Sequence, residues 1–266
     1  MAKKNVGTCH VCGKQGELTF EHIPPRSSGN DHKMHVYNGE NVDNIKSSLF
    51  GIGTPSGTYA IRQQGMGFYA LCANCNNLFG RHYDKPYARL GNAIRSDAKS
   101  MREALPEDGR GYISFDLSGF LPLSFIKRVI ANFCVINSTE SMTDCRDFLL
   151  DPASTALPNH YRLRMLIVPE PTKACMSGWM KVLFGENIDD LDSVTLSCML
   201  VPPFAFVLYD RDHSNMLPDL DGDITSMASV DSSQRPNMTL NLPIMSAKIA
   251  AIPAQWILPA QSLNTQ

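Results

Sequence analysis

No stretch of this chain approaches the roughly 18–20 consecutive apolar residues that a membrane-spanning helix needs. The longest apolar runs, 133–136 and 199–208, are short, and the second contains Pro202 and Pro203, so both read as core segments. The start, Met1-Ala2-Lys3-Lys4-Asn5, is not followed by an apolar stretch, so no secretory leader is expected. Net charge is also lacking: 24 Lys+Arg against 26 Asp+Glu leave −2, too little for a general polyanion binder. No internal repeat is present.

What is there begins with cysteine. Eight cysteines in 266 residues, four of them in C-x2-C pairs, read as metal ligands plus buried thiols in a reducing compartment. A cytoplasmic protein without disulfides is therefore expected. Forty-three per cent hydrophobic residues suffice for a core. Charge is unevenly spread, with 14 Lys+Arg against 10 Asp+Glu in residues 1–110 and 10 against 16 thereafter, so the basic surplus lies with the cysteine-rich part.

Cys9-His10-Val11-Cys12 and Cys72-Ala73-Asn74-Cys75 each form a knuckle able to offer two thiolates to one tetrahedral ion. Neither pair lies in a βαβ pattern, which disfavours a redox role. Cys9, Cys12, Cys72 and Cys75 are thus expected to hold a structural Zn²⁺. Between the pairs lies Glu21-His22-Ile23-Pro24-Pro25, at the end of an expected strand 17–23 that the prolines terminate. An imidazole next to a carboxylate, facing a helix that starts near Asn76, can assemble a hydrolytic site around a divalent ion with oxygen ligands.

Residues 26–66 show little periodicity and read as a long loop, with Arg26 among its basic groups. Strands are expected at 59–61 and 68–71, helices at 76–90 and 89–105, and a domain boundary at Pro106-Glu107-Asp108-Gly109. The remainder opens with a strand at 111–117 and an amphipathic helix at 122–137, whose apolar stripe leaves Lys127 and Arg128 off it. Further strands are expected at 161–168, 194–201, 204–209 and 239–242, with a polar excursion over 210–236. The expected fold class is α+β, with domains 1–108 and 109–266.

The order C-x2-C, E-H-I-P-P, L-C-x2-C-N resembles the zinc-containing branch of the HNH endonucleases over about residues 9–90. That resemblance implies a ββα-metal fold, hydrolysis of nucleic-acid phosphodiesters with DNA favoured over RNA, and a catalytic Mg²⁺ or Mn²⁺. It makes His22 the general base, Glu21 and Asn76 the ligands of the catalytic cation, and Arg26 and Arg81 phosphate contacts. One position departs from the family pattern. Where the family has a middle Asn that holds the loop above the base, this chain has Gly67, with Asn41, Asn44 or Asn77 as substitutes. A second metal-binding His of some relatives falls on Gly80, and His82 lies on the wrong helical face to replace it. A homodimer would suit cutting of both strands. Residues 109–266 would bind a partner or regulatory ligand, and compact nucleases of this kind suit a defence role. The rival reading is a zinc-stabilised binding module without catalysis.

Overall fold

The computed structural model describes residues 4–42, 57–169, 174–185, 191–215 and 221–247, and among them the fold is mixed α+β. Strand β1 (Val6–Thr8), β2 (Gln15–His22) and β5 (Gly67–Cys72) form a three-stranded antiparallel sheet in the order β1-β2-β5. Two further strands, β3 (Met34–Val42) and β4 (Gly57–Arg62), pair only with each other. The expected loop over 26–66 is corrected here. Its flanks form an antiparallel ribbon: β4 contains the strand expected at 59–61, and β3 is the strand that sequence periodicity missed.

Helix α1 (Ala73–His82) leaves directly from the second knuckle, and α2 (Asp84–Glu103) follows after Tyr83. Pro86 lies in the first turn of α2, where its missing N–H costs nothing. After a turn at Pro106–Gly109, β6 (Arg110–Leu117) leads into α3 (Pro122–Ile136) and a short α4 (Arg146–Leu150). Then come β7 (Tyr161–Ile167), β8 (Cys175–Phe184), β9 (Asp192–Val201), β10 (Phe204–Asp210) and β11 (Met238–Met245). They join β6 in a six-stranded sheet ordered β6-β11-β7-β10-β9-β8, antiparallel except at β11–β7. Strand β8 escaped the sequence reading because polar residues and Gly178 interrupt its apolar positions.

Helix α3 decides how the parts are joined. Its apolar stripe is the expected one, but Lys127 and Arg128 are 0% and 1% exposed rather than solvated. One apolar cluster runs from Cys9, Phe79 and Tyr87 through Phe125 and Ile130 to Phe204 and Ile244, so the expected 108/109 division separates sheets, not cores. Lys127 resolves its burial by donating from Nζ to the carbonyls of Phe148 and Asp151, both at 2.6 Å. Arg128 reaches back into the cysteine-rich part. Among the described residues no helix is long and apolar enough to cross a membrane.

Candidate functional site

The Sγ atoms of Cys9, Cys12, Cys72 and Cys75 lie within 4.8 Å of one another, with Cys12 and Cys72 at 3.7 Å. Four thiolates at Zn–S bonds of about 2.3 Å stand roughly 3.8 Å apart, so the cluster fits a tetrahedral ion. The four cysteines could therefore hold a structural metal such as zinc. Cys9 is hydrogen-bonded to Cys75. Its pKa is pulled down to about 4, first by the hydrogen bond with Cys75 and then by the amides of Cys12, Cys72 and Val11, against the opposing effect of burial. Around the knuckles, the His10 amide donates to the Ala70 carbonyl (2.9 Å), His10 Nδ1 donates to Cys134 O (3.1 Å), and Arg146 Nε donates to Val11 O (3.2 Å). The cysteine cluster is thereby tied to β5 and to α3 and α4 together.

β2 carries both Glu21 and His22, and strand alternation sends them to opposite faces. Glu21 shares its face with Thr19, which accepts a hydrogen bond from Asn76 Nδ2 on α1 (2.9 Å). The same amide donates to Phe20 O (3.2 Å), which leaves Asn76 Oδ1 without a partner among the described residues. Glu21 is 4% exposed, and its Oε1 lies 2.5 Å from Arg128 Nη1. Glu21, the expected ligand of the catalytic cation, thus shares its Oε1 with Arg128, because a buried carboxylate is filled first by the nearest buried cation.

Arg128 makes two more contacts. Nη2 donates to His22 O (2.8 Å), and Nε sits 3.2 Å from Asp84 Oδ1 without the alignment of a hydrogen bond. Burial alone would lower its pKa, but the Glu21 and Asp84 carboxylates outweigh burial and raise it, so it stays charged. One guanidinium between two carboxylates leaves a net −1. Asp84 is a site residue that sequence reasoning missed. A side chain on Gly80 would come 3.9 Å from Asp84 Oδ2, so an acid from α2 stands beside the helix position where Gly80 offers nothing. The only signal available in advance was an acidic residue in the first turn of a helix.

The His22 ring lies on the other face, edge-on to Phe20 with centroids 5.0 Å apart. Its Nε2 is 2.9 Å from the Gln64 carbonyl oxygen. A carbonyl only accepts, so Nε2 carries the proton and neutral His22 keeps a bare Nδ1. Burial lowers its pKa, and Arg26 and Arg128 add to this against the Gln64 bond and Asp84. Burial thus favours the neutral form of the ring.

Asn30 holds the loop that carries Gln64. Its Nδ2 donates to Pro24 O and Met66 O, and its Oδ1 accepts from Met66 N–H, all at 2.7 Å. Asn30 is none of the three substitutes expected for the middle Asn of the resembled pattern. Asn41 lies in β3, Asn44 lies outside the described residues, and Asn77 is exposed on α1. Gly67 has its own reason. A Cβ there would run into the backbone carbonyl of Glu21, so no Asn fits. Gly65, at φ +91°, is likewise closed to side chains by Asn30. Asn30→Ala is expected to cost about 2–4 kcal/mol, since it breaks three buried hydrogen bonds. Urea unfolding midpoints at equal zinc content measure it.

Arg26 is exposed in the turn Arg26–Ser28, and its charge reaches His22. Arg81 is exposed on α1 and makes no ion pair among the described residues, and His82 is exposed beside it. The structure thus brings Glu21, Asn76, Asp84, Arg128 and His22 to the end of β2, with the charge of Arg26 felt at His22. Compared with protein-family models, curated proteins and solved structures, the chain gave no match.

Proposed function

We propose that this chain is a metal-dependent endonuclease of the HNH type, with β2, β5 and α1 as its ββα unit and His22 as its general base. The observation that carries the reading is the His22 ring. Its proton is placed on Nε2 by a carbonyl, its Nδ1 carries no proton, and the buried Asn30 ties the segment after β2 at Pro24 to Met66, beside the loop that orients it. A purely structural histidine at a strand end needs no such support.

The donor set supports a cation at the same strand end. Asn76 Oδ1 is unspent, Glu21 gives only Oε1 to Arg128, and the Glu21–Arg128–Asp84 cluster remains net negative. These oxygens would hold Mg²⁺ or Mn²⁺. When bound, the cation would offset charge on the phosphate and on the departing 3′ oxygen. The chain's own residues do the rest. His22 Nδ1 takes a proton from water, whose oxygen bonds to phosphorus as the P–O3′ bond breaks, and solvent returns a proton to the 3′ oxygen. Arg26, exposed beside His22, meets the phosphate backbone, which positions the substrate without reading its bases. Because base and oxygens lie on opposite faces of β2, the scissile phosphate lies across the strand end.

One observation favours the rival reading, a zinc-stabilised binding module. The Arg128 guanidinium already neutralises the carboxylate that a cation would use. Cleavage of plasmid and single-stranded DNA with Mg²⁺, Mn²⁺ or EDTA decides between them. The nuclease is expected to need the added metal, and His22→Ala to lower its rate by about a hundredfold or more with zinc content unchanged. No cutting by the wild type with any metal would establish the binding module.

A further inference from the structure

We infer that the exposed face of α2 is a track for the phosphate backbone of nucleic acid flanking the scissile phosphate; the inference rests on the nuclease reading and extends its substrate contacts beyond the ββα unit. Lys85, Arg89, Asn92, Ser96 and Lys99 recur every three or four residues, so they line one face of the helix, and all five are exposed. From Lys85 to Lys99 this face runs about 21 Å, the length of about six nucleotides of one strand. The helix begins beside the end of β2. Asp84, its first residue, is 3.2 Å from Nε of Arg128, whose Nη2 holds the His22 carbonyl. Arg81, also exposed, precedes Lys85 by four residues on α1. A strand that lies across the end of β2 and follows α2 meets Lys85 first.

Charge and side-chain type identify the occupant. Across α1 and α2 together, the cations Arg81, Lys85, Arg89, Arg95, Lys99 and Arg102 stand against Asp84, Asp97 and Glu103. Those three acids do not cancel the face. Asp84 is turned to Arg128, Asp97 lies a third of a turn away, and Glu103 closes the far end, 3.9 Å from Lys99. Asp116, two residues before Ser118 on the neighbouring strand β6, is engaged by the Thr239 hydroxyl (2.7 Å). Arg89 is fixed in place by one N–H to Ser118 O (3.4 Å), and Arg81 and Lys85 make no ion pair among the described residues. Residues 103–109 add Glu107 and Asp108 to Glu103 and no cation, so the end of α2 that favours anions is the one beside β2. Lysine, arginine, asparagine and serine are side chains that bind phosphate and sugar oxygens without reading bases. A protein-binding face would hold aromatic or aliphatic anchors, and none of the exposed large hydrophobics lies on α2. A helix lying on a membrane would give its apolar side to lipid, but Tyr87, Leu90, Ile94 and Met101 are buried in the core.

Fluorescence anisotropy of a labelled DNA duplex of ~20 base pairs, several times the length of this face, tests the assignment across a range of salt concentrations, with the full zinc-loaded chain and no added Mg²⁺ or Mn²⁺. Lys85→Gln is expected to lower the slope of log affinity against log salt by about one. Lys85→Gln with Arg89→Gln should lower it by about two and weaken binding about tenfold at low salt. Arg102→Gln removes the same charge as Lys85→Gln, more than a quarter turn off the face, and is expected to leave the slope unchanged. Duplexes of different sequence should bind alike. An unchanged slope in the double variant, an equal loss from Arg102→Gln, or no binding of duplex by the wild type would each overturn the proposal. Vesicles of equal phosphatidylserine and phosphatidylcholine are expected not to bind; binding that the double variant loses would make the face a lipid contact instead. His22→Ala is expected to bind duplex like the wild type. Binding that depends on Lys85 and Arg89, with no cleavage under any metal, overturns the nuclease reading and leaves this surface standing, whereas cleavage with an unchanged slope does the reverse.

Discussion

Cys75→Ser is expected to strip the metal and to unfold the cysteine-rich part, the largest effect of any single substitution in this chain. Cys9 and Cys75 are 0% and 3% exposed and belong to the same apolar cluster as Phe125 and Phe204. Loss of the ion would leave buried thiolates facing one another with no cation between them. Structural zinc contributes about 10–16 kcal/mol in small zinc domains, more than most whole domains have to spare. Because His10 and Arg146 tie the knuckle to α3 and α4, the loss should spread to residues 122–150. Metal emission per chain and thermal unfolding with and without chelator measure it. An unchanged melting temperature in a metal-free Cys75→Ser protein would make the four cysteines ordinary buried thiols.

Arg128→Met is expected to be the next largest, at about 3–5 kcal/mol, because it leaves Glu21 and Asp84 near one another without their cation. It also removes the donor to the His22 carbonyl, at the point where the strand must place its ring. Adding Glu21→Gln should return part of the loss, since the amide carries no charge to strand. Divalent ions should tell the same story. Two uncompensated carboxylates attract Mn²⁺ more strongly than a compensated set, so Mn²⁺ is expected to raise the melting temperature of Arg128→Met more than that of the wild type. Equal response in both would show that no cation meets Glu21. Urea titrations of the single and double variants, with and without Mn²⁺, provide all of these comparisons.

The cysteines, His22 and Arg128 differ in how far the sequence alone reveals them. The four cysteines could be read at once, because ligand spacing is a local constraint and a tight knuckle needs only two residues between its thiols. His22 could be read too, as an imidazole placed by prolines at a strand end. Arg128 could not. On a helical wheel it lies off the apolar stripe and looks solvated, and only the packing of α3 between two sheets puts it 1% exposed against Glu21. Asn30 was hidden for a similar reason. It lies in a polar stretch without periodicity, and its role exists only because Met66, thirty-six residues on, returns beside it. Gly67 looked like a loss until β2 and β5 were brought together, when it proved to be the residue that lets them approach.

The sequence by itself determined the four-cysteine cluster that could hold a metal, the α+β class, the order of most strands and helices, and the place of His22 at the end of β2. Those features follow from local rules: ligand spacing, side-chain periodicity and the backbone limits of proline. The tertiary structure alone decided that the two parts share one core, that Glu21 is held by Arg128, that Asp84 joins them, and that Asn30 clamps the loop beside His22. These are contacts between residues far apart in the chain, set by which buried charge finds which partner once the core has closed, and no local pattern records that choice.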